Sequence, residues 1–280
     1  MKNEKENNEE ELKRLLDEIK KETKNVLLIK LLQAHRLETK DVADAVELYY
    51  DAQKLRIIHA NKERTEGEGV LKTWFAHWLV SGEKVLATKL QAWVLSASAP
   101  AEAKWAFDQF GIGPIIAAGL AAHIVPEKAN SISALWKFAG MAPGFDHKVK
   151  GQKLPYNARL KTLCWKLGES FVKVSGKEDA VYGKLYVQFK GDEVSRNENG
   201  LYAATASAQL TNKKFRADTV TRKRLEEGKL SDGHLHARAK RRTVKIFLAH
   251  YWTLARESRG LPIREPYSKA ILHHDGIIEP

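Results

Sequence analysis

The chain is predicted to be all-α, and three features of its 280 residues carry that prediction. Apolar side chains recur at three- and four-residue spacing in nearly every periodic segment. Breaks containing Gly, Pro or Ser, such as EGEG (66–69) and SASAPAE (96–102), separate those segments. The most regular of them, YNARLKTLCWKLGESFVKV (156–174), sets Leu160, Leu163, Cys164, Leu167, Phe171 and Val174 on one stripe. The expected architecture is an N-terminal helical hairpin or coiled-coil-like arm (1–99), then a helix-hairpin-helix domain (100–260) and an irregular tail (261–280).

Residues 1–24 form a mixed-charge helix, with NVLLIKLL (25–32) as its buried continuation or a short strand. The segments 39–62 and 70–95 read as two long helices joined at the EGEG break, an antiparallel pair. The first places Val42, Val46, Tyr49 and Leu55 on one side; the second offers Trp74, Trp78, Val85 and Trp93. SASAPAE is the linker, its Ser or Pro capping the next helix. NSISALWKFAGMAP (130–143) is a short helix closed by Gly140 and Pro143, and GFDHKVKGQKLP (144–155) is a basic loop. Helical pattern returns over 178–190 with Tyr182, Leu185, Tyr186 and Phe189. Residues 191–232 are polar and Ala/Thr-rich, an insertion containing some helix, and a last long helix covers 233–258.

Charge is uneven along the chain. The net charge is +12, and the segment from Phe145 to Gly260 holds 25 Lys+Arg against 12 Asp+Glu, while the rest is close to neutral. A surplus concentrated in this way points to a polyanionic partner rather than to general solubility. The single cysteine, Cys164, rules out an internal disulfide and suits a reducing cytosol. The polar start MKNEKENNEEELKR does not read as a signal peptide, and no apolar run approaches the roughly 20 residues that span a bilayer. A cytoplasmic protein with no membrane partner is expected.

Residues 109–124, QFGIGPIIAAGLAAHI, hold the most specific motif. A dinucleotide fingerprint would need a preceding strand and a third glycine where Ile116 stands, so that reading fails. Phe110-Gly111-Ile112-Gly113 instead fits the turn of a helix-hairpin-helix. Glycine there permits positive φ and lets a phosphate reach the backbone, Ile112 is the buried hinge, and Pro114 suits the first helical turn. The N–H groups and dipole of the second helix then face an anion. Ala117, Ala118, Ala121 and Ala122 let the helices pack closely. The alternative is a helix corner with no ligand.

The last helix adds cations. At about 100° per residue, Arg238, Arg241, Arg242 and Lys245 share one sector, opposite Val244, Phe247, Leu248, Tyr251 and Ala255. Four like charges in three turns repel one another unless anions offset them. Arg159, Lys166 and Lys173 form a second basic line, and Lys148, Lys150 and Lys153 lie in the loop. The expected nucleic-acid site is therefore Gly111, Ile112, Gly113, Lys148, Lys150, Lys153, Arg159, Lys166, Arg238, Arg241, Arg242 and Lys245, converging on one surface around the glycine bend.

Catalytic and metal candidates are weaker. His234 and His236 with His147 or Cys164 match no structural zinc spacing, and Ser170 and Ser175 have no nameable general base. Trp165 falls off its helix's apolar stripe and is a candidate to stack on a base, packing on a neighbouring helix being the alternative. No catalytic residue, metal ligand or cofactor is assigned.

The order of parts — FGIGPIIAAGLAAHI, SALWKFAGMAP, a basic loop, YNARLKTLCWKL and a late basic helix — resembles the C-terminal domain of the "one-ten" insertion-sequence transposases, related to the pilin-inversion (Piv) recombinases. The resemblance covers roughly residues 100–260. It implies a helix-hairpin-helix acting in DNA recombination, in some members guided by a structured RNA. Two departures accompany it. The family's N-terminal RuvC-like domain with four metal-binding carboxylates has no counterpart in residues 1–99, and Asp41, Asp44 and Glu47 read as a solvated helix face. The family's nucleophilic serine follows the AG-x-x-P segment, where this chain has Asp146, His147 and Lys148 and no serine. The expected function is DNA binding by a transposase-like protein lacking its own nuclease centre. Alternatives are an active recombinase subunit, or a helical interaction protein with an acidic or RNA partner; the N-terminal helices are a possible site of homo-oligomerisation.

Overall fold

The core forms around the stripe Leu160, Leu163, Cys164, Leu167 and Phe171, all buried on one face of a central helix. The computed structural model describes Arg14 and residues 37–67, 69–145, 148–212 and 214–263. The helix expected over 1–24 (Arg14 apart), the NVLLIKLL segment, Asp146, His147 and most of the tail lie outside these residues. Ten α-helices and no strand occur among them, in agreement with the all-α expectation: α1 Val42–Glu66, α2 Val70–Val94, α3 Ala101–Asp108, α4 Pro114–His123, α5 Ile132–Phe138, α6 Ala158–Lys173, α7 Val181–Glu198, α8 Ala203–Asn212, α9 Val220–Glu226 and α10 Asp232–Glu257. None is long and apolar enough to cross a membrane.

Local chemistry sets the boundaries. Ser131, Asn157 and Thr219 each accept a hydrogen bond from a first-turn backbone N–H, fixing the starts of α5, α6 and α9. Pro100 precedes α3 and Pro114 opens α4, where a missing N–H costs nothing.

α1 and α2 lie side by side in opposite directions. Arg56 donates two hydrogen bonds to the Glu83 carboxylate, at 2.6 and 3.2 Å, and the His59 ring meets Phe75 edge-on. The boundary expected at 99/100 runs through shared core. Val42, Val46, Leu90 and Trp93 from the α1–α2 pair pack in one apolar cluster with Leu120, Leu160, Phe247 and Tyr251. The base of that pair therefore belongs to the same folding unit as the C-terminal helices. Gly119 shows how tightly: a Cβ there would come within 2.9 Å of Leu163 and 3.3 Å of Val46.

α10 is the backbone of the C-terminal half and packs on α3, α5, α6 and α7. Its buried Arg256 donates to the carbonyls of Pro126, Ala129 and Pro262, and Arg259 pairs with the buried Glu102 of α3 at 2.7 Å. The expected polar insertion at 191–232 begins as the last turns of α7. The remainder forms α8 and α9 around a small separate core of Tyr202, Ala206, Leu225, Leu230 and Leu235.

Candidate nucleic-acid interface

The glycine bend between α3 and α4 is tight, and its two glycines serve different ends. Gly111 has φ +91°, which an L side chain rarely adopts. A Cβ at Gly111 would meet Val174 at 3.0 Å and the Ser170 hydroxyl at 3.4 Å, and that hydroxyl donates to the Gly111 carbonyl. Gly111 is thus fitted against the C-terminal end of α6 rather than opened to a phosphate. Gly113 has an ordinary extended backbone, and a Cβ there would meet nothing. Its carbonyl accepts from Ile116 and Ala117 at 3.1 Å, starting α4; Pro114 has no N–H, so of the first turn only the Ile115 N–H lacks a carbonyl one turn back. Ile112 is buried between them.

The expected basic sector of α10 divides in two. Arg238 and Arg242 turn toward α7. Arg238 donates to Glu193 at 2.5 Å and to the Tyr202 hydroxyl at 3.2 Å, and lies over the Tyr202 ring. Arg242 donates to Asp192 at 2.9 Å and sits over Phe189 at 3.9 Å. Burial alone would raise the Glu193 carboxyl; hydrogen bonds from Tyr202 and Arg238 and the charges of Arg238 and Arg196 outweigh it and hold it below the ordinary carboxylate range. Lys240 pairs with Glu169 of α6. These cations form an internal ionic seam, and their mutual repulsion is offset by the chain's own carboxylates.

Lys245 takes the other side, toward α5, with Arg241 one turn before it on the helix. The Lys245 ammonium lies 3.9 Å from the Trp136 ring centre, and Trp136 Nε1 donates to the Lys245 carbonyl. Burial, then the charge of Arg241, lowers the Lys245 ammonium below the usual lysine range. Lys137 lies over Phe145 at 5.0 Å and Lys161 over Tyr156 at 4.0 Å. Gly140, the last turn after α5, packs against both Tyr156 and Lys161, so the α5 end and the α6 start are in contact. The exposed Lys148, Lys150 and Lys153 span the loop between them. An aromatic face holds a cation in place without cancelling its charge, as for Lys137 and Lys245.

Arg159 and Lys166 lie on a third side, where α6 faces α1. Arg159 pairs with Glu47 at 2.5 Å; Lys166 lies 3.8 Å from the Tyr50 ring centre and donates to Gln53 at 3.1 Å. Burial, then Lys173, lowers the Lys166 ammonium. With His123, Ile57 and Ile58 these residues line a groove of about 570 Å³. Burial also lowers the His123 imidazole, with Glu47 opposing.

The predicted site residues therefore do not converge on one surface. Lys148, Lys150 and Lys153 stand exposed in the loop between α5 and α6, Lys137 lies over Phe145 and Lys245 packs on Trp136 of α5; Arg238 and Arg242 turn to α7, and Arg159 and Lys166 to α1. The glycine bend meets the far end of α6, about 20 Å from Lys161 by the helix rise. Sequence reasoning missed Asp192 and Glu193, which decide the fate of two of the arginines. The signal was present: Tyr182, Tyr186, Phe189, Glu193 and Asn197 are all buried along one stripe of α7.

Other chemistry is sparse. His234 bonds Gln209 at 3.0 Å and His236 bonds Tyr186 at 2.6 Å, in separate places. Among the described residues no three His, Cys, Asp or Glu side chains are placed to hold a metal ion. Cys164 is buried, and burial pushes its thiol up to about 12, so the thiolate that would act as nucleophile is withheld. No protein-family model, curated protein or solved structure matches the chain.

Proposed function

We propose that this protein binds DNA, as a transposase-like protein of the kind its C-terminal half resembles. The basic surface of α5, the 148–155 loop, the start of α6 and Arg241 and Lys245 of α10 is the main contact. The α3–α4 unit acts as a helix-hairpin-helix at a second contact, through the backbone of Gly113 and the Ile115 N–H that opens α4. The two lie about 20 Å apart along α6, or roughly six base pairs of duplex at 3.4 Å each.

One observation carries this reading. Lys137 and Lys245 are held on aromatic rings and Lys148, Lys150 and Lys153 stand exposed, while Arg238, Arg242, Lys240 and Arg159 are matched to carboxylates. Contacts of this kind neutralise phosphates and position the protein without reading sequence. No strand-cleaving chemistry is assigned to these residues.

A salt titration of duplex binding tests the reading. Replacing Lys148, Lys150 and Lys153 together by Ala lowers the slope of log affinity against log salt by about one unit per lost phosphate contact. An unchanged slope removes the loop from the interface.

A further inference from the structure

Trp165 is the most exposed of the seven tryptophans, at 62%, whereas Trp93 and Trp252 are buried. Tryptophan is highly buried on average, so an exposed ring gives up a large apolar gain. Trp165 has no ring or cation partner among the described residues. It is not a stray apolar residue on a neutral surface either. Lys161 stands one turn before it on the same side of α6. A Cβ at Gly168, three residues on, would lie 3.5 Å from the Lys240 side chain. Glu169, one turn after Trp165, is engaged by Lys240, so the carboxylate nearest along the helix is already neutralised. The adjoining loop repeats the combination at smaller scale, with exposed Phe145, Val149 and Leu154 interleaved with Lys148, Lys150 and Lys153.

Exposed aromatic and apolar groups spaced among cations are what an unpaired strand requires. The bases lose water against the rings while the backbone runs along the charges. A paired duplex uses the charges alone, because its bases are stacked on each other and shielded from a side chain on the protein surface. We propose that Trp165 is a stacking platform for an unpaired nucleobase, making the α6 surface a site for single-stranded or locally opened nucleic acid. This rests on the nucleic-acid reading above and sharpens its substrate class. The shared chemistry is an accessible base with flanking phosphates, whether from opened DNA or from RNA.

The test compares the native chain with Trp165→Ala, Trp165→Phe and the Lys148/Lys150/Lys153→Ala triple variant. Each is titrated with a duplex, its single DNA strand and the matching RNA strand, the single strands carrying 2-aminopurine. Trp165→Ala is expected to weaken single-strand binding about tenfold, the lower part of the range for losing one stacked base. Duplex affinity should change less than twofold, the salt slope should stay unchanged, and the stacking-induced change in 2-aminopurine emission should be lost. Trp165→Phe should restore most of both. The strand that shows the emission change identifies the source of the base. Equal loss on duplex and single strand overturns the platform, as does full single-strand affinity in Trp165→Ala. If the lysine variant still weakens all three ligands in either case, DNA binding stands and only the platform falls. If the native chain binds none of the three, both readings fall. A Trp165→Ala variant that loses self-association but not strand binding assigns the ring to a protein contact and also overturns the proposal.

Discussion

The two flanks of α10 carry similar charge and behave as opposites. Toward α7, Arg238 and Arg242 meet Glu193 and Asp192, and the flank is a seam that closes the fold. Toward α5, Lys245 rests on Trp136 with no carboxylate partner among the described residues, and the loop that follows α5 carries three exposed lysines. A run of cations on a helix does not by itself announce a polyanion. What decides is whether the neighbouring element supplies a carboxylate, because rings flank Arg238 and Arg242 as well as Lys245.

The largest expected effect strikes the seam. Glu193→Ala leaves Arg238 and Tyr202 without their buried acceptor and should cost about 2 kcal/mol in denaturant unfolding, as losing hydrogen bonds to a charged group does. Its salt slope for DNA should match the native one. A normal unfolding midpoint would mean that the seam carries no stability and that the distinction between the flanks is empty.

The loop should show the converse. The triple lysine variant is expected to lose about a hundredfold in duplex affinity near physiological salt, with a slope lower by about three units. Its stability should stay within about 0.5 kcal/mol, as for exposed substitutions generally. Thermal unfolding alongside the binding titration checks both halves.

Arg242→Ala is an intermediate case, because its pair with Asp192 is partly exposed. A stability loss of about 1 kcal/mol or less is expected, with an unchanged slope. A slope reduced as much as by one loop lysine would place the seam in the interface and erase the comparison.

The smallest effect is in acid. The Glu193 carboxyl titrates lower in the folded chain than in the unfolded one, so its contribution is complete above about pH 4.5. It fades as pH falls through the lowered value. Glu193→Gln should flatten the acid limb of the stability profile, whereas the loop variant should run parallel to the native curve.

These contrasts mark how far the sequence could be read. Helix positions followed from spacing, and the stripe Leu160–Phe171 is the core face that its periodicity predicts. The segments that hold α5 and α6 followed from spacing too, whereas the capping by Ser131 and Asn157 that fixes their starts emerged only in the structure. What stayed hidden was partner choice. α7 passes through the supposed insertion because Glu193 and Asn197 occupy core-facing positions, where a hydrophobicity pattern expects apolar residues. Asn197 is satisfied there by the backbone of Leu230, at 2.8 and 3.2 Å, a contact spanning 33 residues that no local window reveals. Gly111 was legible as a bend, but its fit against Val174 and Ser170 depends on α6 arriving from 60 residues away. Arg159 and Lys166 of α6 face α1 for the same reason: the sequence shows a line of charge, and packing decides what lies across from it.

Cys164 sits at the centre of this architecture, on the core face of α6, with its thiol sealed from water. A maleimide or disulfide reagent added to the native chain should therefore react only during rare excursions in which the helical assembly comes apart. The rate of that modification times the protein's breathing, with no engineered probe. The same silence leaves a blank background on which a cysteine introduced beside Trp165 could be labelled alone.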